Sequence, residues 1–220
     1  MKRAFRIFIP LGILSVALFF GYQWYANRNV VEYKDPQFSA EQNRLAQERL
    51  AKTQETIMAL PDGAPLLQRY PLMLQLGSDY MFLGELKKAR GVYRDVIKLD
   101  KNRAPGWAQL FHAERAMHLF SDARKSIGEA IKRDPLSAQY WRWRIDLERF
   151  DLKGSDEDIR KLYAEALTST REHADILSSY AQYLESIGDI QGAIAQWKIL
   201  ATRYPNESIY TAEIRRLETR

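Results

Sequence analysis

Four stretches of this 220-residue chain repeat one another at an almost constant spacing, and that constrains its fold more than any other feature. Met73, Trp107, Trp141 and Leu177 fall 34, 34 and 36 residues apart, as do Leu76, Leu110, Arg144 and Tyr180, and Gly77, Phe111, Ile145 and Ala181. A second half of each stretch carries Ala89, Ala123, Ile159 and Ala193, each followed one helical turn later by Tyr93, Ile127, Tyr163 or Trp197. Turn signals separate the halves at Gly84-Glu85, Ser121-Asp122, Gly154-Ser155-Asp156 and Gly188-Asp189, and the stretches close at Asp100-Lys101, Asp134-Pro135, Thr170-Arg171 and Tyr204-Pro205. A period in this range signals a stacked array of supersecondary units. The spacing therefore predicts an all-α chain with four helix-turn-helix units, 70–103, 104–137, 138–173 and 174–207. A small residue lets two helix backbones approach, and the bulky residue one turn on fills the space beside it.

No such unit buries its apolar face alone, so the array needs a polar-faced cap at each end. Residues 39–62 supply one: Ser39 opens a capping-box pattern, and Ala46, Leu50, Thr53, Ile57 and Leu60 follow at helical spacing. Residues 208–220 supply the other, with Tyr210, Ile214 and Leu217 on one side and Glu213, Arg215, Arg216 and Glu218 elsewhere.

The pattern resembles the tetratricopeptide repeat (TPR) family. Gly77, Tyr80, Ala89 and Tyr93 carry the resemblance in the first unit, Trp107, Ala123, Ala130 and Pro135 in the second, Trp141, Tyr163 and Ala166 in the third, and Ala181, Ala193, Trp197 and Pro205 in the fourth. The third unit departs from the pattern, with two extra residues near Leu152 to Ser155 and with Arg144 and Ile159 where the family prefers Leu and Ala. A looser inter-helix turn is expected there. The resemblance implies a right-handed α-solenoid whose inner face, lined by the first helix of each unit, holds an extended peptide or a partner helix. Carried over by register, that face comprises Leu74, Ser78 and Met81; Ala108, His112 and Arg115; Arg142, Asp146 and Arg149; and Ser178, Gln182 and Glu185.

Two readings of the middle of that face stand side by side. Arg115, Arg142 and Arg149 could present guanidinium forks to an acidic or C-terminal segment of a partner. Alternatively, Arg142 with Asp146 and Asp146 with Arg149 form ordinary surface pairs along one helix. The Lys and Asn with which some family members clamp a chaperone's terminal carboxylate are missing, Leu74, Ser78, Ala108 and His112 standing in their places. Trp107, Trp141 and Trp197 coincide with packing places. Trp143 lies off the packing stripe, which leaves it as either an exposed partner anchor or a side chain half-buried against the third unit's turn.

Ahead of the repeats, residues 7–26 run for twenty positions without a charge, preceded by Lys2, Arg3 and Arg6. As a helix they span about 30 Å, the thickness of a bilayer's hydrocarbon core, and Tyr22, Trp24 and Tyr25 gather at the end where aromatic rings favour the headgroup zone. A cleaved signal peptide has a shorter apolar stretch and a small-x-small site, whereas Ala26 has Trp24 two places before it. We expect residues 1–6 in the cytoplasm, 7–26 as a signal anchor in the lipid bilayer, 27–38 as a linker, and the repeats outside a bacterial inner membrane, because Lys and Arg near a span stay on the cytoplasmic side. The absence of Cys fits that compartment.

Chemistry is not expected. His112, His118 and His173 have no metal-motif spacing, no Cys exists, and no nucleophile elbow, phosphate loop or dinucleotide fingerprint occurs. Residues 1–38 hold five Lys/Arg against two Asp/Glu, so 28 against 26 remain from the totals of 33 and 28, too even for a nucleic-acid-binding patch. The expectation is a non-enzymatic scaffold with no cofactor, metal, nucleic acid or small-molecule substrate, which recruits a protein or peptide partner for assembly or maturation at the membrane surface. A stoichiometric accessory subunit of a membrane complex and an organelle-surface import receptor are the alternatives.

Overall fold

The computed structural model describes residues 40–219. Over these the chain is helical and contains no strand: α1 (Ala40–Met58), α2 (Leu66–Phe82), α3 (Leu86–Leu99), α4 (Ala104–Ala116), α5 (Phe120–Arg133), α6 (Ala138–Asp146), α7 (Asp156–Ser169), α8 (Ala174–Ser186), α9 (Ile190–Arg203) and α10 (Ser208–Glu218). The basic N-terminus, the apolar stretch 7–26, the 27–38 linker and Ser39 lie outside the described residues. Among the described residues no helix is long and apolar enough to cross a membrane.

Each helix packs on the next, and α2, α4, α6 and α8 are the first members of four helix pairs. Every apolar cluster draws on neighbouring pairs: Ala89 and Tyr93 of α3 meet Leu110 and Ala113 of α4, while Ala123 and Ile127 of α5 meet Leu147 just beyond α6. Trp141, Ile145, Ile159 and Tyr163 share a cluster with Ile176 and Tyr183 of α8. Leu217 of α10 closes the last cluster over Leu200 and Trp197. Burying a side chain of this size contributes about 1.5–3 kcal/mol, and because the partners lie in adjacent pairs the contribution exists only when the pairs stack. Gly77 shows how tight the contact is, since a Cβ there would collide with the fully buried Tyr93 ring.

The turns inside the pairs share one device. Gly84, His118 and Gly188 adopt a left-handed backbone with φ of 73°, 57° and 82°, and the next residue's N–H reaches back five residues, Glu85 to Tyr80, Leu119 to Glu114 and Asp189 to Leu184, at 2.8–2.9 Å. This is the bond that satisfies a helix's last carbonyls. In the third pair the left-handed residue is Lys153, and the bond spans six residues, from Gly154 N–H to the Glu148 carbonyl at 2.8 Å. The additional residue is taken up by a π-helical turn over Leu147–Asp151, in which Leu152 N–H bonds the Leu147 carbonyl at 2.9 Å. The second extra residue falls before α7, where Ser155 caps the helix by accepting from Asp158 N–H at 3.2 Å. The third turn is thus wider, as its length suggests, but it is closed by hydrogen bonds rather than loose.

Buried carboxylates join the pairs. Glu114 is 2% exposed and accepts from Arg90 Nε of the preceding pair at 3.0 Å and from Ser126 Oγ at 2.6 Å. Thirty-four residues later Glu148 is buried and accepts from both arms of Arg124, the Nε bond being 2.8 Å, with Arg144 adding 2.9 Å. At the N-terminal end Asp79, fully buried, accepts from Arg49 and Thr53 of α1 at 2.5 and 2.9 Å and from Gln75 at 2.8 Å. That carboxylate fastens α1, whose buried face amounts to little more than Ala46 and Thr53.

Removing one partner of a buried pair strands the other. Glu114→Ala, which leaves Ser126 without its acceptor and Arg90 with Asp122, is expected to cost about 3 kcal/mol in urea unfolding, the low end for a broken buried pair, whereas Glu157→Ala, which breaks an exposed pair with Lys161, should change stability by less than about 0.5 kcal/mol.

Candidate functional site

The first helices contribute one face, and the residues assigned to it by register differ widely in what they can offer a partner. Leu74 and Met81 are half-buried against the cluster around Tyr93, and Ala108 is buried beneath Phe111 and Ile127. Ser78 is exposed. His112 is held between the rings of Phe111 and Trp143, at centroid distances of 4.9 and 4.2 Å.

The three guanidiniums do not form a free cationic stripe. Arg115 donates through Nε to Asp151 at 2.6 Å. Arg149 lies over the rings of Phe150 and Tyr183 at 4.9 and 4.8 Å and reaches the Tyr163 hydroxyl at 3.3 Å. Arg142 alone of the three is exposed. The alternative pairing also fails: neither Arg142 nor Arg149 makes an ion pair with Asp146 among the described residues. The π turn is the reason for Arg149, because winding the chain more widely after Asp146 displaces Arg149 from the three-apart register and turns it towards α8.

Trp143 is not an exposed anchor. It is half-buried, stacked near Phe111 at 6.1 Å and tilted against Tyr140 at 5.6 Å. It packs back onto the preceding pair and fills the space between α4 and α6.

Ser178, Gln182 and Glu185 are brought together. They form one wall of an open groove of about 430 Å³ between α8 and α10. Ile209, Tyr210, Glu213 and Arg216 of α10 form the other, with Ala174 and Asp175 at the start of α8 and Trp197 of α9 below. Tyr210 stacks on Trp197 at 6.0 Å, and Ile209 is 60% exposed. Arg216 bonds Glu185 at 2.6–2.8 Å and Glu213 at 2.7–2.9 Å, and among the described lining residues it is the cation that stands with the carboxylates Asp175, Glu185 and Glu213. The amphipathic pattern of α10 expresses only a cap, and its part in the groove is not among the residues expected from register. A signal is present nonetheless: Pro205 and Tyr210 repeat Pro135 and Tyr140 relative to the starts of α10 and α6.

Two further recesses, of about 380 and 400 Å³, repeat between α3 and α5 and between α5 and α7. Charges of both signs wall each of them, including the ladder carboxylates Glu114 and Glu148. No group of three or more His, Cys, Asp or Glu among the described residues could hold a metal ion.

Burial, and then the Arg115 charge, lowers the His112 pKa from 6.5 to about 4. The unfolded chain therefore binds a proton that the folded protein refuses between those values. Stability should be intact above pH 6.5 and fall as the pH drops towards 4, with a slope of up to about 1.4 kcal/mol per pH unit from this group. His112→Gln, which places here the residue that Gln182 supplies in the fourth pair, should remove that component when urea midpoints are compared across the range.

A family model, the tetratricopeptide repeat, matches residues 109–166. No curated protein sequence matches the chain. Among solved structures, the crystal structure of MamA shares 16% identity over 81% of this chain and 99% of its own, with a TM-score of 0.57. A thermophilic TPR protein of Thermus thermophilus, TTC0263, shares 16% identity over 94% of this chain and 99% of its own, with a TM-score of 0.50. At these identities the likeness is one of fold. The family match spans α4 to α7, and the likeness in fold to the solved structures extends along the rest of the helical array.

Proposed function

We propose that this chain is a non-enzymatic scaffold, anchored in a membrane by residues 7–26, whose first-helix face recruits a protein or peptide segment for assembly or maturation at the extracytoplasmic surface of a bacterial inner membrane. Tetratricopeptide repeats mediate protein–protein interactions. The observation that carries the reading here is the groove between α8 and α10, where that face is left open with polar groups above an aromatic floor. The anchor rests on the uncharged twenty-residue run and the basic residues before it. Tethering confines the search for a partner to two dimensions.

Photocrosslinking in native membranes tests the binding face. A photoreactive residue at Gln182, which lines the groove, should capture one defined partner, and the same residue at the exposed Lys125 of α5 should not. Equal capture from both positions would remove the groove from the mechanism. For the topology, protease added to intact spheroplasts should degrade the repeats, and protection would reverse the assigned orientation.

A further inference from the structure

The array contains its own template for what enters the groove. In the space between α4 and α6 the chain seats an indole, Trp143, against His112. Trp143 is the sixth residue of α6, and the sixth residue of α10 is Glu213. On the opposing helix, Ala108 and His112 are the fifth and ninth residues of α4, as Ser178 and Gln182 are of α8. The two sites thus correspond position by position along their helices. Where Trp143 fills the first, a carboxylate at the corresponding place leaves the second open, at about 430 Å³.

The charge of the groove then selects the neighbours of the missing ring. Among the described lining residues the carboxylates Asp175, Glu185 and Glu213 outnumber the guanidinium of Arg216, which bonds Glu185 and Glu213. The described lining is thus more acidic than basic beside the Tyr210 and Trp197 rings. Lys or Arg is favoured at such a place both by the carboxylates and by the faces of aromatic rings, and an acidic segment is repelled.

We infer that the groove binds a partner segment presenting an aromatic side chain flanked by Lys or Arg, the aromatic ring taking the place that Trp143 occupies between α4 and α6. This rests on the scaffold reading and names the chemistry of its partner. The segment is supplied by another protein; a binding site for acidic tails, as the register of Arg115, Arg142 and Arg149 suggests, would need the opposite charge.

The test uses the full chain in detergent micelles and fluorescence anisotropy with three labelled peptides: Lys-Lys-Trp-Lys-Lys, the same peptide with Ala for Trp, and Glu-Glu-Trp-Glu-Glu. The first should bind at least ten-fold tighter than either of the others, and its affinity should fall with added salt. Glu213→Trp, which restores the indole of the α4–α6 site, should weaken binding of the first peptide at least ten-fold while helicity and the unfolding midpoint are kept. Should that variant unfold, Ser178→Trp blocks the groove from the other wall, and Glu213→Gln, which fills nothing, should weaken binding only a few-fold. Equal binding of the three peptides, no binding of any, or unchanged affinity in a folded blocked variant would overturn the inference. Partner capture from Gln182 combined with failure of the Lys-Lys-Trp-Lys-Lys peptide leaves the scaffold reading standing and removes only this one.

Discussion

A carboxylate withdrawn from water needs a partner, and in this array the partner comes from the neighbouring helix pair. Asp79, Glu114 and Glu148 are each buried, and each is met by an arginine of an earlier helix: Arg49, Arg90 and Arg124. Such pairs add little net stability compared with apolar packing, because desolvation offsets much of the attraction. Their effect lies in the cost of the wrong arrangement. A pair displaced by one turn would strand a buried charge, so the spacing of Arg90 and Arg124 favours one stacking register while the Ala and aromatic positions supply the burial. The same chemistry lets α1, short of apolar residues, close the N-terminal end.

The third pair shows how a stacked array absorbs irregularity without losing register. Two added residues enter between α6 and α7, yet Tyr163 and Ile159 reach the same kind of core as Ile127 and Ala123. The π turn takes up one residue while keeping Glu148 in line with Arg124. A consequence is that Arg149 leaves the first-helix face and settles over Tyr183, which draws charge away from the middle of that face. Unlike the middle, the C-terminal end stays open, because α10 follows the spacing of a fifth first helix but carries Glu213 where α6 carries Trp143.

Much of the repeat architecture is legible in the chain because it is written as periodicity. Ala89 and Tyr93 recur as Ala123 and Ile127 and as Ala193 and Trp197, and close helix contact requires such small residues beside large ones. The ladder has a period too, in Arg90 and Arg124 and in Glu114 and Glu148, each 34 apart; charges at helical positions are so commonly solvated that such a period does not by itself announce burial. The groove is legible only in part. Register places Ser178, Gln182 and Glu185 on its wall, while Ile209, Tyr210 and Glu213 sit in a segment whose amphipathic pattern is also that of a plain cap.

Local spacing and polarity along the chain set the number of helix pairs, their order and the uncharged run ahead of them, because each of these is a property of neighbours in sequence. Which guanidiniums are free, where Trp143 lies and which stretch of the first-helix face is open emerge only once the pairs have stacked. Those properties depend on distances between residues remote in the chain, as when Arg115 meets Asp151 or α10 comes to face α8. A repeat unit specifies its neighbour's position, but what remains accessible between them is fixed by the side chains that happen to meet there.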